Sequence, residues 1–174
     1  GRGTHELAGI VPDIITGTFG KALGGSIGGY VSGKKVLIER LRQSARPYLF
    51  SNSLPPAVVA TARAALTLAL DGNELREDLS AKTKWWRKGL SRLGFDVPSG
   101  SHPITPVMLG DAILTQQMAA KLDALGIYVA GFTFPVVPKG TDRLRTQISV
   151  AHTMEDLAFA LDAFATAGRE LRVI

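Results

Sequence analysis

Cysteine is absent from the 174-residue chain, which excludes a disulfide framework and any thiolate-ligated metal centre. A reducing compartment, the cytoplasm, is the expected location. Long apolar runs are missing too: no stretch approaches the roughly 18 consecutive apolar residues of a membrane span, and the opening GRGTHE does not read as a signal peptide. No membrane association is expected. Histidine is scarce, and His5, His102 and His152 stand too far apart for a metal site, so each is expected to serve as a structural hydrogen-bonding residue. Acidic residues are outnumbered, 15 against 20 Lys and Arg, for a net charge of +5. That balance raises nucleic acid as a partner, but the excess sits at residues 34–46, where Lys34, Lys35, Arg40, Arg42 and Arg46 face only Glu39. Val36, Leu37, Ile38 and Leu41 are interleaved there, as in an amphipathic helix with a solvated basic face, and no nucleic acid is expected.

What is present in quantity is apolar residue, 45% of the chain, enough to bury a core, and glycine, 19 residues. The glycines crowd around one lysine. In DIITGTFGKALGGSIGG at residues 13–29, a β-like apolar run stops at Thr16, Gly17 and Thr18, whose hydroxyls and backbone N–H groups suit an anion. Lys21 follows, flanked by Gly20, Gly24, Gly25, Gly28 and Gly29. Glycine at this density lets backbone approach a flat ligand or take positive φ, at an entropic cost. A lysine amine activated by its surroundings forms Schiff bases, most often with pyridoxal phosphate, and Thr18 suits that cofactor's phosphate. A solvated lysine in a glycine loop is the alternative from this window alone.

Two rival motifs can be tested by spacing. A phosphate-binding P-loop needs glycine five positions before the Gly-Lys pair and Ser or Thr after it, where this chain has Ile15 and Ala22. Residues 24–28, GGSIG, match the nucleophile elbow of serine hydrolases letter for letter, which makes Ser26 a candidate nucleophile. The elbow requires a strand before the serine and a helix after it, whereas GYVSG at 29–33 reads as a strand.

The run TGTFGKALGGSIGGYVSG at 16–33 resembles the lysine segment of the α-oxoamine synthases, pyridoxal-phosphate enzymes of the aspartate-aminotransferase fold (fold type I). RPYLFSNSL at 46–54, PVMLGD at 106–111, GFTFPVVPKG at 131–140 and RLRTQ at 143–147 extend the resemblance over the whole chain, in the family's order. The YLFSNSL and FPVVPKG stretches resemble the acetyl-transferring branch, rather than the 5-aminolevulinate or 8-amino-7-oxononanoate synthases that share the lysine segment. The resemblance implies an α/β chain made of the end of the large cofactor domain, residues 1–72 with its long connecting helix, and a small α+β domain, residues 73–174. It implies pyridoxal phosphate on Lys21 as the catalytic residue, a phosphate held by Thr18 and by Ser51 and Asn52 across a homodimer, and glycine and acetyl-CoA as substrates, with the glycine carboxylate on Arg145. The charge of residues 34–46 suits coenzyme A. The family's partner for the pyridine nitrogen and its ring-stacking histidine precede this segment, so the chain resembles the carboxyl-terminal part of such an enzyme.

Read in order, residues 13–18 and 28–32 are expected strands and 34–45 a helix that ends ahead of Pro47. Residues 48–54 are expected to be an extended loop, pinned by Ser51, Asn52 and Ser53 or serving a ligand. Pro55 and Pro56 open an expected helix to Leu70 whose apolar residues run nearly all round, predicting burial. A second helix covers 74–93, in which Trp85 and Trp86 are expected to pack against the domain. Strands at 95–97, 104–109, 127–133 and 144–149 alternate with helices at 111–125 and 153–171, the last opened by Thr153 as N-cap with Asp156 three residues on. Arg143 and Arg145 share one face of their strand with Leu144 opposite, either as surface charge or as a carboxylate grip, in which Arg143 is the outer, solvated one. Phe132, Phe134, Pro135 and Pro138 shape a rigid loop that either packs or walls an acyl pocket.

Overall fold

A computed structural model of the chain describes residues 1, 3–24 and 27–174. The fold is α/β and divides into two compact units, Gly1–Asn73 and Glu74–Ile174.

In the first unit a short helix α1 (Thr4–Ala8) precedes strand β1 (Ile14–Thr18), which pairs antiparallel with β2 (Gly29–Gly33) in the register Ile14 opposite Gly33 through Thr18 opposite Gly29. Tyr30 faces Gly17 across this ladder, and a Cβ on Gly17 would stand 2.5 Å from the ring, so only glycine admits the tyrosine. The ring also meets Phe19, centroid to centroid 5.2 Å. An aromatic laid over a cross-strand glycine covers backbone that would otherwise face water and fixes the register of so short a hairpin. Helix α2 (Lys35–Ser44) follows, then α3 (Arg46–Phe50) and the long α4 (Pro56–Asp71).

Two expectations fail here. Residues 48–50, expected as the start of the extended loop 48–54, belong instead to helix α3: the chain breaks at Ala45, which is extended, and Pro47 lies in the first turn of the next helix, where its missing N–H costs nothing. Helix α4 is not buried. Ala62 is the one buried side chain among the described residues of this unit, and Leu68 and Leu70 are each 69% exposed. An all-round apolar pattern shows that a helix can be covered, and within this unit too little packs on it to do so.

The second unit holds the core. Helix α5 (Asn73–Leu93) leads to β3 (Ile104–Met108), α6 (Ala112–Ala124), β4 (Ala130–Phe132), β5 (Arg143–Gln147) and α7 (Met154–Glu170). The sheet is antiparallel throughout, ordered β3-β5-β4, with β5 in the centre. Burial alternates along it: Thr105, Val107, Leu144 and Thr146 are buried, while Arg145 and Gln147 are exposed. On the inner face Trp86 and Leu90 of α5, Met118 and Leu122 of α6, and Leu157 and Phe164 of α7 close over the strands. Each such burial is worth about 1.5–3 kcal/mol. Trp86 and Phe95 both meet Phe164 edge to face, and the Trp86 indole Nε1–H donates to Thr146 Oγ1 at 2.9 Å. Trp85 is 38% exposed, so only its neighbour belongs to the core.

Asp111 caps α6 by accepting from Leu114 N at 2.7 Å. Thr153 and Asp156 form the full capping box of α7. The expected strand at 95–97 is reduced to a single bridge between Asp96 and Met108 on the outer side of β3, and that at 127–133 to the three residues of β4, an edge strand that pairs with β5 alone.

Candidate active site

Lys21 sits in the connection between β1 and β2, exposed, and its carbonyl accepts from Gly24 N at 2.9 Å in a tight turn. Gly24 has φ +63° and Gly28 φ +87°, values that L side chains adopt rarely. The ladder is continued past Thr18 by Phe19 N donating to Gly28 O at 2.9 Å. Thr18 Oγ1 accepts from Gly20 N at 3.1 Å and donates to Gly28 O at 3.4 Å. Its weaker, longer donation can be exchanged for an anionic acceptor without losing the bond that shapes the turn. Lys34 Nζ reaches Asp13 Oδ1 at 3.0 Å at the other end of the hairpin, fully in solvent, where such pairs contribute little.

A second segment meets this hairpin. A Cβ on Gly28 would stand 2.7 Å from the Leu54 side chain, so Leu54 is seated on that glycine. Ser51 and Asn52, both exposed, lie two and three residues upstream of it, between α3 and α4. Tyr48, Leu49 and Phe50, just ahead of them, are 63%, 48% and 78% exposed. Within this unit, therefore, the end of the SNSL segment and the lysine hairpin come together through Leu54 and Gly28. Ser26, the elbow serine, lies with Gly25 outside the described residues.

In the second unit, Arg143 and Arg145 share the outer face of β5 as their alternation predicts, with Leu144 fully buried behind. Their exposure is the reverse of the expectation. Arg143 is half-buried and donates Nη2–H to Thr141 Oγ1 at 3.3 Å; Arg145 is the exposed one. Register explains it: Arg143 stands between Met108 and Phe132, whereas Arg145 has Pro106 and Ala130 as its cross-strand partners. The Arg145 guanidinium carbon lies over the Phe132 ring, 4.5 Å from its centroid. Arg143 Nε and Asp142 Oδ1 are buried without partners. Phe134 and Val136, in the loop before β5, are 59% and 71% exposed, and Lys139 lies over the Phe134 ring. Neither Phe132 beneath Arg145 nor Tyr30 over Gly17 was legible beforehand, because each contact depends on strand register.

Two of the histidines serve structural roles. His102 Nδ1 accepts from Ile104 N and His152 Nδ1 from Ser149 N. Among the described residues no group of three or more His, Asp or Glu is placed to hold a metal ion, and no helix is long and apolar enough to cross a membrane. Lys34 and Lys35 of the basic stretch are paired with Asp13 and Glu39, which reduces the free positive charge there. The carboxyl of Asp156 is held below the usual carboxylate range, chiefly because the Thr153 backbone N–H donates to it and with the Thr153 side chain adding to the effect.

Comparison with known proteins supplies what one chain's geometry does not. Residues 3–164 match the family model of class I and II aminotransferases. The chain is 51% identical to the 2-amino-3-ketobutyrate coenzyme A ligase of Escherichia coli K12, over all of this chain and 44% of that protein. It is also 51% identical to the mitochondrial ligase of that name from Homo sapiens, over 97% of this chain and 41% of the relative. Among solved structures, a serine palmitoyltransferase of S. paucimobilis with bound PLP-myriocin aldimine superposes with TM-score 0.91 at 34% identity, covering 99% of this chain and 44% of that one. The chain thus spans less than half the length of the relatives that it matches. By motif, sequence and backbone together, it belongs to the class I and II aminotransferase family, of fold type I.

Proposed function

We propose that this chain carries the lysine and carboxylate-binding parts of a glycine C-acetyltransferase, the activity of a 2-amino-3-ketobutyrate coenzyme A ligase. The enzyme condenses glycine with acetyl-CoA to 2-amino-3-oxobutyrate and coenzyme A, a step in threonine and glycine metabolism. The observation that carries this reading is a lysine held in a glycine-rich hairpin turn in a chain 51% identical, end to end, to ligases of that name. Residues 1–72 would be the last segment of the large domain with its connecting helix, and 73–174 the small domain. Cytoplasmic residence is part of the proposal, on the absence of cysteine.

The donor set fits pyridoxal phosphate. A primary amine stands ready for the aldehyde at Lys21, and the hydroxyls of Thr18 and Ser51 and the amide of Asn52 suit phosphate oxygens. When bound, the cofactor supplies the aldehyde for that amine and a ring that takes up the electron pair left at the amino-acid α-carbon. Lys21 Nζ, as a free amine, would take the glycine α-proton as general base. Arg145 holds the glycine carboxylate through two parallel N–H donors. The carbon–sulfur bond of the thioester breaks as the new carbon–carbon bond forms, and coenzyme A leaves with the electron pair. Phe134, Pro135 and Pro138 would wall the small acetyl group, while Phe132, at the end of β4, lies beneath Arg145 instead.

Ser51 and Asn52 act in a second copy's site in this reading, so the assembly is a homodimer. The exposed Tyr48, Leu49 and Phe50 beside them supply apolar surface for that contact.

The test is borohydride reduction in the presence of pyridoxal phosphate, followed by peptide mass spectrometry, with the chain alone and in its complete enzyme. A phosphopyridoxyl adduct on Lys21, abolished by Lys21→Ala, is expected. Adduct spread over surface lysines and unchanged by Lys21→Ala would overturn the reading.

A further inference from the structure

We propose that Phe132 is a positioning residue for amino-acid recognition: its ring seats the Arg145 guanidinium so that the N–H edge is free for a small monocarboxylate. The inference rests on the reading of Arg145 as the carboxylate-binding residue.

Arg145 stands on the central strand β5, and its register partners, Pro106 on β3 and Ala130 on β4, carry no side-chain acceptor. Among the described residues it makes no ion pair; what holds it is Phe132, with Cζ 4.5 Å from the ring centroid. Phe132 pairs in register with Arg143, so it is the diagonal neighbour of Arg145 across the β4–β5 ladder, within reach of a long side chain. An arginine tied by a carboxylate has already used its donors. One held by its face on an aromatic ring keeps its five N–H groups and gives up rotamer freedom before the ligand arrives.

Arg143, two residues away on the same face, shows the contrast. Its Nη2–H is engaged by Thr141 Oγ1 and its Nε is buried, so its fork is not presented whole. The sheet thus offers one complete fork, from Arg145, which matches a substrate with one carboxylate. A hydrophobic residue of similar bulk at 132 would fill the same space and lose the ring's negative face.

The experiment compares Phe132→Leu, Phe132→Tyr and Arg145→Gln in the holoenzyme, measuring KM for glycine and kcat separately. It also follows the Arg145 side-chain NMR shifts, which a ring beneath the guanidinium displaces upfield. Phe132→Leu is expected to raise KM for glycine about two- to fivefold with kcat held, the size of an exposed cation–π contact. The upfield displacement should vanish in that variant, and Phe132→Tyr should restore both. If Arg145→Gln raises KM strongly while Phe132→Leu and Phe132→Tyr both leave it at the native value, the positioning role is wrong and the carboxylate reading survives. If Arg145→Gln leaves KM unchanged, both fall. A Phe132→Leu protein with lowered melting temperature is judged on Phe132→Tyr: loss of glycine affinity there, with the ring-current shift retained, also overturns the proposal.

Discussion

Replacing Thr146 by valine tests the polar tie at the centre of the second unit. Thr146 lies on the inner face of β5, the strand whose outer face presents Arg145, and is 3% exposed. Its hydroxyl accepts from Trp86 Nε1 at 2.9 Å and donates to Thr105 O at 2.9 Å, joining α5, β5 and β3. Valine keeps the shape and removes both bonds. The indole N–H of Trp86, itself 2% exposed, is then buried without an acceptor, which costs about 1–3 kcal/mol, and the lost donation to Thr105 O adds about 1 kcal/mol. At roughly 4–8 °C per kcal/mol for a unit of this size, the melting temperature should fall by about 8–32 °C. Urea unfolding followed by far-UV circular dichroism gives the free energy, and a double-mutant cycle assigns it. In a Trp86→Phe background there is no N–H to strand, so the same Thr146→Val should cost about 1 kcal/mol or less. Equal costs in the two backgrounds would show that the Trp86–Thr146 bond does not couple these elements.

Other expectations follow from single contacts. Gly17→Val places a side chain where the Tyr30 ring now lies, so Tyr30 must leave both Gly17 and Phe19; the yield of reducible adduct at Lys21 should drop, with the Tm of the second unit unchanged, by mass spectrometry and calorimetry in parallel. Asp156 carries a carboxyl whose folded pKa is depressed, so its contribution to stability is present above the unfolded value near 3.8 and fades as pH falls through the folded one. Asp156→Asn should therefore lower Tm at neutral pH, and the gap from the native chain should close below pH 3.8, read by thermal melts across pH. Lys82, whose side chain is only 12% exposed, donates to Asp78 Oδ2 at 2.7 Å and to Val150 O at 2.9 Å; Lys82→Met should destabilise by about 1–3 kcal/mol, against under 0.5 kcal/mol for Lys35→Met, whose partner Glu39 lies in solvent.

Much of the second unit was legible because its signals are local. Thr153 and Asp156 announce the start of α7, Asp111 that of α6, and the alternation Arg143, Leu144, Arg145, Thr146 orients β5 without knowledge of its neighbours. The lysine hairpin was legible for a similar reason, since glycines punctuate both strands. What could not be read are quantities that depend on which strand lies beside which. The length of β4 follows from its place at an edge, the half-burial of Arg143 from sitting between Met108 and Phe132, and the Trp86–Thr146 bond from a sequence separation of 60 residues. Helix α3 was misread because proline was taken as a stop; proline in a first turn is equally a start.

The two units therefore hold their candidate residues by different physics. Arg145 rides on the middle strand of a sheet whose inner face is closed by Leu144, Val107, Met118 and Phe164, all fully buried, so its backbone is fixed by many cooperative contacts and one nearby substitution shifts it little. Lys21 has no such support: its unit buries Ala62 alone among described residues, and the turn is shaped by Tyr30 over Gly17, Leu54 on Gly28 and the Thr18 hydroxyl. A position held by a few local contacts is sensitive to each of them. Substitutions at Gly17, Gly28 or Thr18 should thus separate amine placement from global stability, whereas loss of a core residue such as Leu144 should lower the melting temperature of the second unit while the folded fraction still presents Arg145.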